Sequence, residues 1–335
     1  VLSVLVLAMG CVDVNVPGSD DPRWTSWDDA PAAQRVEVRV ATWNIEFLGE
    51  PDSVEYDAVR QVLRRLDADV VLINEVDASE AAQLGALAAE VGYPVVETPG
   101  DHPFGDTGNA VLSRLPLVSV SFPTAASLSG DSGANDLTRL PVLLTSTIPG
   151  TELELTVVGQ HWKSGFELTD LFRRNVDAVR TAQAVARGLS SDLIVAGGDV
   201  NEELISVPGA FGPFTEAPDG LPGDYDIGDD VAATMAGGGL ADNPFQPLLD
   251  QGLTIVDALQ RDGRATTRPT SGRRLDHLFV NDAVAAASLR SEVYDSADEA
   301  IDGLADGGSK LDYNTSNQAA DHLPVLIVFR VTAAQ

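Results

Sequence analysis

Asp69-Val-Val-Leu-Ile-Asn74 and Asp192-Leu-Ile-Val-Ala196 are unbroken apolar runs bounded by polar residues. They have the length of strands, and without polar alternation each must be covered on both faces. A chain with two such strands needs a layered fold, with sheet buried beneath other layers. The rest of the chain supplies them. Val36-Glu-Val-Arg-Val-Ala41 alternates as a strand does, and further strands are expected at Asn109 to Leu112, Val118 to Phe122, Leu140 to Ile148, Leu153 to Gln160, Leu275 to Val280 and Pro324 to Val331. Asp52-Ser-Val-Glu55 reads as a capping box opening a helix to about Leu66, and helical patterns cover Ala78 to Val91 and about Asp170 to Leu189. This order fits one α/β or α+β domain of two packed sheets with outer helices, over about 36–333.

Two segments stand apart. Val1 to Gly10 is an apolar run too short to span a bilayer and of the length of a signal-peptide core. It ends at Cys11, the single cysteine, so no intramolecular disulfide forms. An apolar run closing in Gly-Cys resembles a bacterial lipoprotein signal, although a basic n-region is missing and Ala8 stands where that pattern prefers leucine. The expectation is export, either secreted or tethered to the cell envelope through lipidated Cys11. The alternative is a core strand or helix. Residues 11–35, with Pro17, Gly18, Pro22, Pro31 and a scatter of Asp, read as a flexible tether. From about Leu204 to Asp250 the chain holds eight acids and no Lys or Arg, and reads as a surface insertion.

Polar residues with chemical potential gather at the strand ends, where a rigid scaffold presents functional groups. They are Trp43-Asn44, Glu75 closing the Leu72 strand, Gln160-His161-Trp162-Lys163, Gly198-Asp199-Val200-Asn201, Asp276-His277 and Asp321-His322. Singly, each is as well explained by a turn, a solvated carboxylate or a core histidine. Together they suit one reaction. Asn44, Glu75 and Asp321 supply oxygen ligands for a hard cation such as Mg²⁺, with Mn²⁺ or Ca²⁺ as alternatives. Asp199 is a candidate base for an attacking water and Asn201 its orienter. His161, Lys163 and His322 are donors for phosphate oxygens, and Asp276 is the carboxylate to hold His322. No Gly-x-Ser-x-Gly elbow and no phosphate-cradling Gly-x-x-x-x-Gly-Lys-Ser/Thr loop occurs.

These segments, in this order, resemble the endonuclease/exonuclease/phosphatase superfamily. The matching pieces are Ala-Thr-Trp-Asn-Ile at 41–45, Asn-Glu-Val at 74–76, Gly-Asn-Ala-Val-Leu-Ser-Arg at 108–114, His-Trp-Lys-Ser at 161–164, Gly-Asp-Val-Asn at 198–201, Arg-Leu-Asp-His at 274–277 and Asp-His-Leu-Pro at 321–324. The resemblance implies a four-layer sandwich of two mainly antiparallel sheets flanked by helices. It implies Asn44 and Glu75 at the metal, Asp199 and Asn201 at the water, and an Asp276–His322 pair near the phosphate. His161 matches a histidine of the deoxyribonuclease branch, with Glu167 and Asp106 as candidates to orient it. Val200 and Ala320 depart from the family's frequent phenylalanine and serine without removing a catalytic group.

The substrate is less legible. With 51 acidic against 21 basic residues, a net charge of -30, the chain lacks the basic footprint of a passive nucleic-acid binder. Basic residues nevertheless concentrate at His161 to Arg187 and Arg261 to Arg274, beside the motifs. Lys163, Arg173 and Arg174 are therefore candidates for substrate phosphate, and a nucleic acid is the first expectation. A phospholipid or inositol-phosphate hydrolase comes second, and a non-catalytic surface lipoprotein of the same fold third. Nothing in the sequence points to a protein partner.

Overall fold

A computed structural model describes residues 35–332, apart from 101, 105–106, 205–212, 242 and 300–309. The leader-like segment, Cys11, almost all of the tether and Asp106 lie outside the described residues. Two six-stranded sheets stack face to face. The first runs β11-β12-β1-β2-β4-β3, built from β1 (Arg35–Asn44), β2 (Val70–Asp77), β3 (Val95–Glu97), β4 (Thr107–Ser113), β11 (Ser288–Val293) and β12 (Val325–Thr332). The second runs β5-β6-β7-β8-β10-β9, built from β5 (Leu117–Ser121), β6 (Val142–Thr147), β7 (Glu154–Gly159), β8 (Leu193–Asp199), β9 (Thr254–Ile255) and β10 (Asp276–Val280). Each sheet has one parallel pair, β1 with β2 and β7 with β8; the other pairings are antiparallel.

Side-chain alternation explains the layers. In β12, Val325, Ile327, Phe329 and Val331 point into the core between the sheets, with Val38 and Val40 of β1 and Val70 and Leu72 of β2. The intervening Leu326, Val328, Ala41, Trp43, Val71 and Ile73 face outward onto α1 (Val54–Leu66), α2 (Ala81–Val91) and α8 (Thr315–Ala319). Strands with both faces covered must be apolar at every position, which is what the unbroken runs require. The second sheet's outer face carries α4 (Leu168–Arg187) and α6 (Gln246–Asp250).

Three expectations need correction. The first helix is capped by Ser53, whose hydroxyl accepts from Tyr56 N, one residue later than the capping box suggested. Glu75 does not close its strand: β2 continues to Asp77, and the register shifts between Asn74 and Val76. The acidic 204–250 segment is more than a surface excursion. Phe214, Tyr225, Val231, Met235 and Leu240 are buried against Phe172 and Val176 of α4. Its helix α5 (Asp229–Gly237) starts at Asp229 and Asp230, and Asp230 pairs with buried Arg180. The segment's acids were visible in composition, whereas its apolar residues were too dispersed to show a period.

Candidate active site

One end of the sandwich collects the site because strand direction brings the motifs there. β1, β2, β7 and β8 end at this edge, and β10 and β12 begin at it. Thr42 pairs with Val325, and Asp276 pairs with Asp199. Trp43 Nε1 donates to His322 O at 3.0 Å, fastening the end of β1 to the approach of β12.

Asp199 lies at the centre and is almost fully buried. Its Oδ2 accepts from Asn44 Nδ2 at 3.0 Å and its Oδ1 from Asn201 N at 2.9 Å. Burial, and then the charge of Asp276, raise its pKa above the ordinary carboxylate range. His322 Nδ1 donates to Asp276 Oδ2 at 2.7 Å, which turns Nε2 toward Asp199 Oδ2 at 3.8 Å and Asp321 Oδ1 at 3.7 Å. Burial alone would lower the His322 pKa; the charge and hydrogen bond of Asp276, with Asp199 and Asp321, raise it to about 10.

Buried amides hold this centre from below. Asn74 Oδ1 accepts from Asp199 N at 2.8 Å, Asn74 Nδ2 donates to Asn109 Oδ1 at 2.8 Å, and Asn109 Nδ2 donates to Gln160 Oε1 at 3.1 Å. This chain joins β2 and β4 of the first sheet to the end of β7 in the second. Gly198 is needed here. Its φ is +152°, and a Cβ would sit 1.6 Å from Gln160 O. Gly198→Ala is expected to cost ~3 kcal/mol or more, overpacking and strain combined, and to shift Asp199. Urea unfolding checks the first effect and activity the second; an unchanged midpoint would contradict the close approach.

A second group of carboxylates lies beside Asp199. Glu46, which the sequence did not single out, belongs to it: burial, then Asp321 and Glu75, raise its pKa, while Arg268 and His322 lower it. Among the described residues the non-glycine positive-φ positions are Glu46 (57°), Asp52, Asp67, Glu75 (63°) and Asn201 (53°). Three of these five lie at the site. Such backbone is costly outside glycine and persists where the surroundings enforce it, typically at functional sites. At Glu75 the device is a β-bulge, which re-aims the side chain. Arg268 also escaped the sequence reading. Its Nε and Nη2 donate to Asp321 Oδ2 at 2.9 and 2.7 Å. Thr267 mounts it rigidly: Thr267 O accepts from Leu323 N, and its Oγ1 accepts from Leu275 N and Asp276 N. The only advance sign of Arg268 was the run of arginines from Arg261 to Arg274.

Other candidates are placed differently from expectation. Both ends of the Asn44 amide are engaged, Nδ2 by Asp199 and Oδ1 by Glu46 N at 2.9 Å, so Asn44 props the carboxylates. His161 is buried, and its Nε2 is 3.1 Å from Asn201 Nδ2. That amide also donates to Trp162 O at 3.1 Å, which orients its nitrogen toward the ring. His161 Nε2 therefore accepts, and is not a free donor for phosphate. Its Nδ1 is buried without a partner among the described residues, so Glu167 does not hold it, while Glu75 Oε1 and Asp199 Oδ2 lie 3.7 and 3.6 Å from Nε2. Burial, with Arg139 and His322 adding charge, keeps it neutral well below its ordinary pKa. Lys163 Nζ pairs with Asp170 at 3.0 Å. Buried Arg174 pairs with Glu202 and donates to Lys163 O and Gly165 O. Buried Arg173 lies against Phe104 and Tyr225. Neither arginine presents an open face for phosphate, and half-buried Lys163 is engaged by Asp170; helical position gave no means of telling inward from outward arginines. His277, buried and neutral, sits 3.0 Å from Glu202 O through Nε2 and serves the loop after Asp199.

The donor set bears on a metal. Glu75, His161 and Asp199, and separately Asp199, Asp276 and His322, bring potential ligand atoms within 4.8 Å of one another. In the second group the His322–Asp276 hydrogen bond already forms an acid–base pair. Asp321 and Glu75 lie near enough to Glu46 for their charges to raise its pKa, and carboxylates gathered in this way are the donor type that suits a hard divalent cation.

Known proteins share this fold. The model of the Endonuclease/Exonuclease/phosphatase family matches residues 41–298. Among curated proteins, no relative matches the sequence. An endonuclease/exonuclease/phosphatase from Beutenbergia cavernae shares the fold with a TM-score of 0.53 at 20% identity, over 88% of this chain and 72% of that one. An AP endonuclease from Archaeoglobus fulgidus does so with a TM-score of 0.51 at 18% identity, over 87% and 99%. Truncated TDP2 from Caenorhabditis elegans gives 0.53 at 14% identity, over 88% and 98%. With its site residues at one edge of two stacked sheets and the family model spanning most of its length, this chain belongs to the endonuclease/exonuclease/phosphatase family.

Proposed function

We propose that the protein is a divalent-metal-dependent phosphodiesterase acting on nucleic acid by attack of water on phosphorus. The observation that carries the reading is buried Asp199, held by Asn44 and Asn201 and faced by the His322–Asp276 pair, beside the carboxylates of Glu46, Glu75 and Asp321. Asp199, with its raised pKa, takes the proton of the attacking water, since a base works best when its pKa approaches the working pH. Asn44 and Asn201 fix the direction of its oxygens. His322, protonated at neutral pH and held at Nδ1 by Asp276, presents Nε2–H to a phosphate oxygen as charge develops there. Arg268 adds a rigidly mounted guanidinium at the same edge. Glu46, Glu75 and Asp321 would hold the cation, Mg²⁺ in the first instance, which when bound supplies Lewis-acid polarisation of phosphate.

Nucleic acid is favoured by family membership and by exposed aromatic rings near the site-bearing loops. Phe166, 74% exposed, lies under Arg273, and Phe47 is 57% exposed two residues from Ile45. Bases stack on such rings without sequence preference. Exposed Leu168 beside Phe166 favours a second reading, a phospholipid hydrolase that touches a lipid surface. The apolar run ending at Cys11 makes export part of the proposal. The test offers the mature protein plasmid DNA, RNA, sphingomyelin and an inositol polyphosphate, with Mg²⁺ and with chelator. Chelator-sensitive cleavage of nucleic acid is expected. Turnover of lipid or inositol phosphate alone would keep the site and replace the substrate, and inactivity on all would leave only the fold.

A further inference from the structure

A cleft of about 810 Å³ opens beside the carboxylates and shares Glu46 and Asp321 with them. Its walls come from three places: the Ile45–Phe47 turn after β1, Pro269 and Thr270 next to Arg268, and Asn317 to Ala320 at the end of α8. The volume is that of a small-molecule site. Because it adjoins the reacting centre, its occupant is the part of the substrate flanking the scissile phosphate.

The lining defines that occupant. Phe47 offers a large ring face that the protein leaves 57% exposed. Asn317 and Gln318 offer amides that both donate and accept hydrogen bonds. The ionisable lining residues, Glu46, Glu55 and Asp321, are all acidic, two of them turned to the proposed cation, so the cleft wall has no cation of its own to hold a second phosphate. A flat apolar face, a hydrogen-bonding edge and no negative charge describe a nucleobase. We propose that this cleft takes the base of the nucleotide flanking the scissile phosphate, stacked on Phe47 with its edge toward Asn317 and Gln318. The base must leave its stack to enter, so the enzyme prefers single-stranded or splayed substrate to duplex. This inference rests on the nucleic-acid reading above and specifies the form of that substrate.

The experiment compares KM for a single-stranded oligonucleotide with KM for a strand of the same length made abasic throughout, in the wild type, Phe47→Ala and Phe47→Trp. Stacking of one base on an aromatic side chain is worth roughly 5- to 150-fold in affinity. Phe47→Ala is expected to lower the preference for the base-bearing strand by a factor in that range, and Phe47→Trp to retain it. Phe47 is exposed, so the fold tolerates both variants. Cleavage of nucleic acid by the wild type with a preference that Phe47→Ala leaves unaltered would overturn the base site and spare the proposed function. Failure of the wild type to cleave any nucleic acid would overturn both. A loss confined to choline-headed lipid in Phe47→Ala would assign the cleft to a cationic headgroup instead.

Discussion

Asp199→Asn is expected to lower kcat on nucleic acid by at least ~10²-fold, the lower end of what a general base contributes, while the protein stays folded. The substitution keeps the shape of the side chain and one acceptor oxygen. It replaces the other acceptor with an amide nitrogen, so Asn44 Nδ2 or Asn201 N loses its partner, and the group no longer accepts the proton of water. The cost should fall on kcat more than on KM, because proton transfer belongs to the transition state. Steady-state kinetics with a circular dichroism control decides the matter. Turnover within a few-fold of the wild type would remove Asp199 from the role of base.

A large expected effect on stability lies away from the chemistry. Arg180 is fully buried and donates to Asp136 Oδ1 and Oδ2 at 2.7 and 2.5 Å, and to Asp230 at the start of α5. Asp136 is itself inaccessible and accepts from Gly228 N at 3.0 Å. Asp136→Ala should destabilise the protein by about 3 kcal/mol, the lower end of what breaking a buried ion pair costs, because Asp230 and Gln183 still accept from Arg180. Replacing Arg180 and Asp136 together by apolar residues should recover much of that loss, because the solvation cost of both charges disappears with them. Urea unfolding of the two variants measures this. A loss below ~1 kcal/mol, the range of an exposed pair, would mean that Asp230 alone satisfies Arg180.

The two predictions differ in how readily their residues could be foreseen. Asp199 stands at the end of a wholly apolar run, and its neighbours sit at the ends of other runs, so strand direction alone brings them to one edge. Glu46 gave no such signal, because a residue two places after a strand end is indistinguishable from loop until the backbone turns to positive φ. Arg173, Arg174 and Arg180 share one helix with Lys163 just before it, and composition there suggested an exposed basic surface. The acids that pair with two of them, Glu202 with Arg174 and Asp136 with Arg180, lie 28 and 44 residues away, beyond reach of local pattern. The lost basic surface is also why Phe47 and Phe166, rather than cations, carry the argument for nucleic acid.

The place of β1 has a consequence for how the molecule is made. The first described strand lies between β2 and β12, paired to the latter from Arg35↔Thr332 to Thr42↔Val325. During synthesis β1 emerges before β2 and pairs with it soon after, but its other edge stays open until β12 leaves the ribosome. Such distant pairing makes for slow folding, since the whole intervening chain must be closed into a loop first. Asp321 and His322 arrive with that same final segment. A chain that lacks β12 and its approach thus has an open sheet edge and is without two residues of the candidate site, so closure of the sheet and completion of that site coincide.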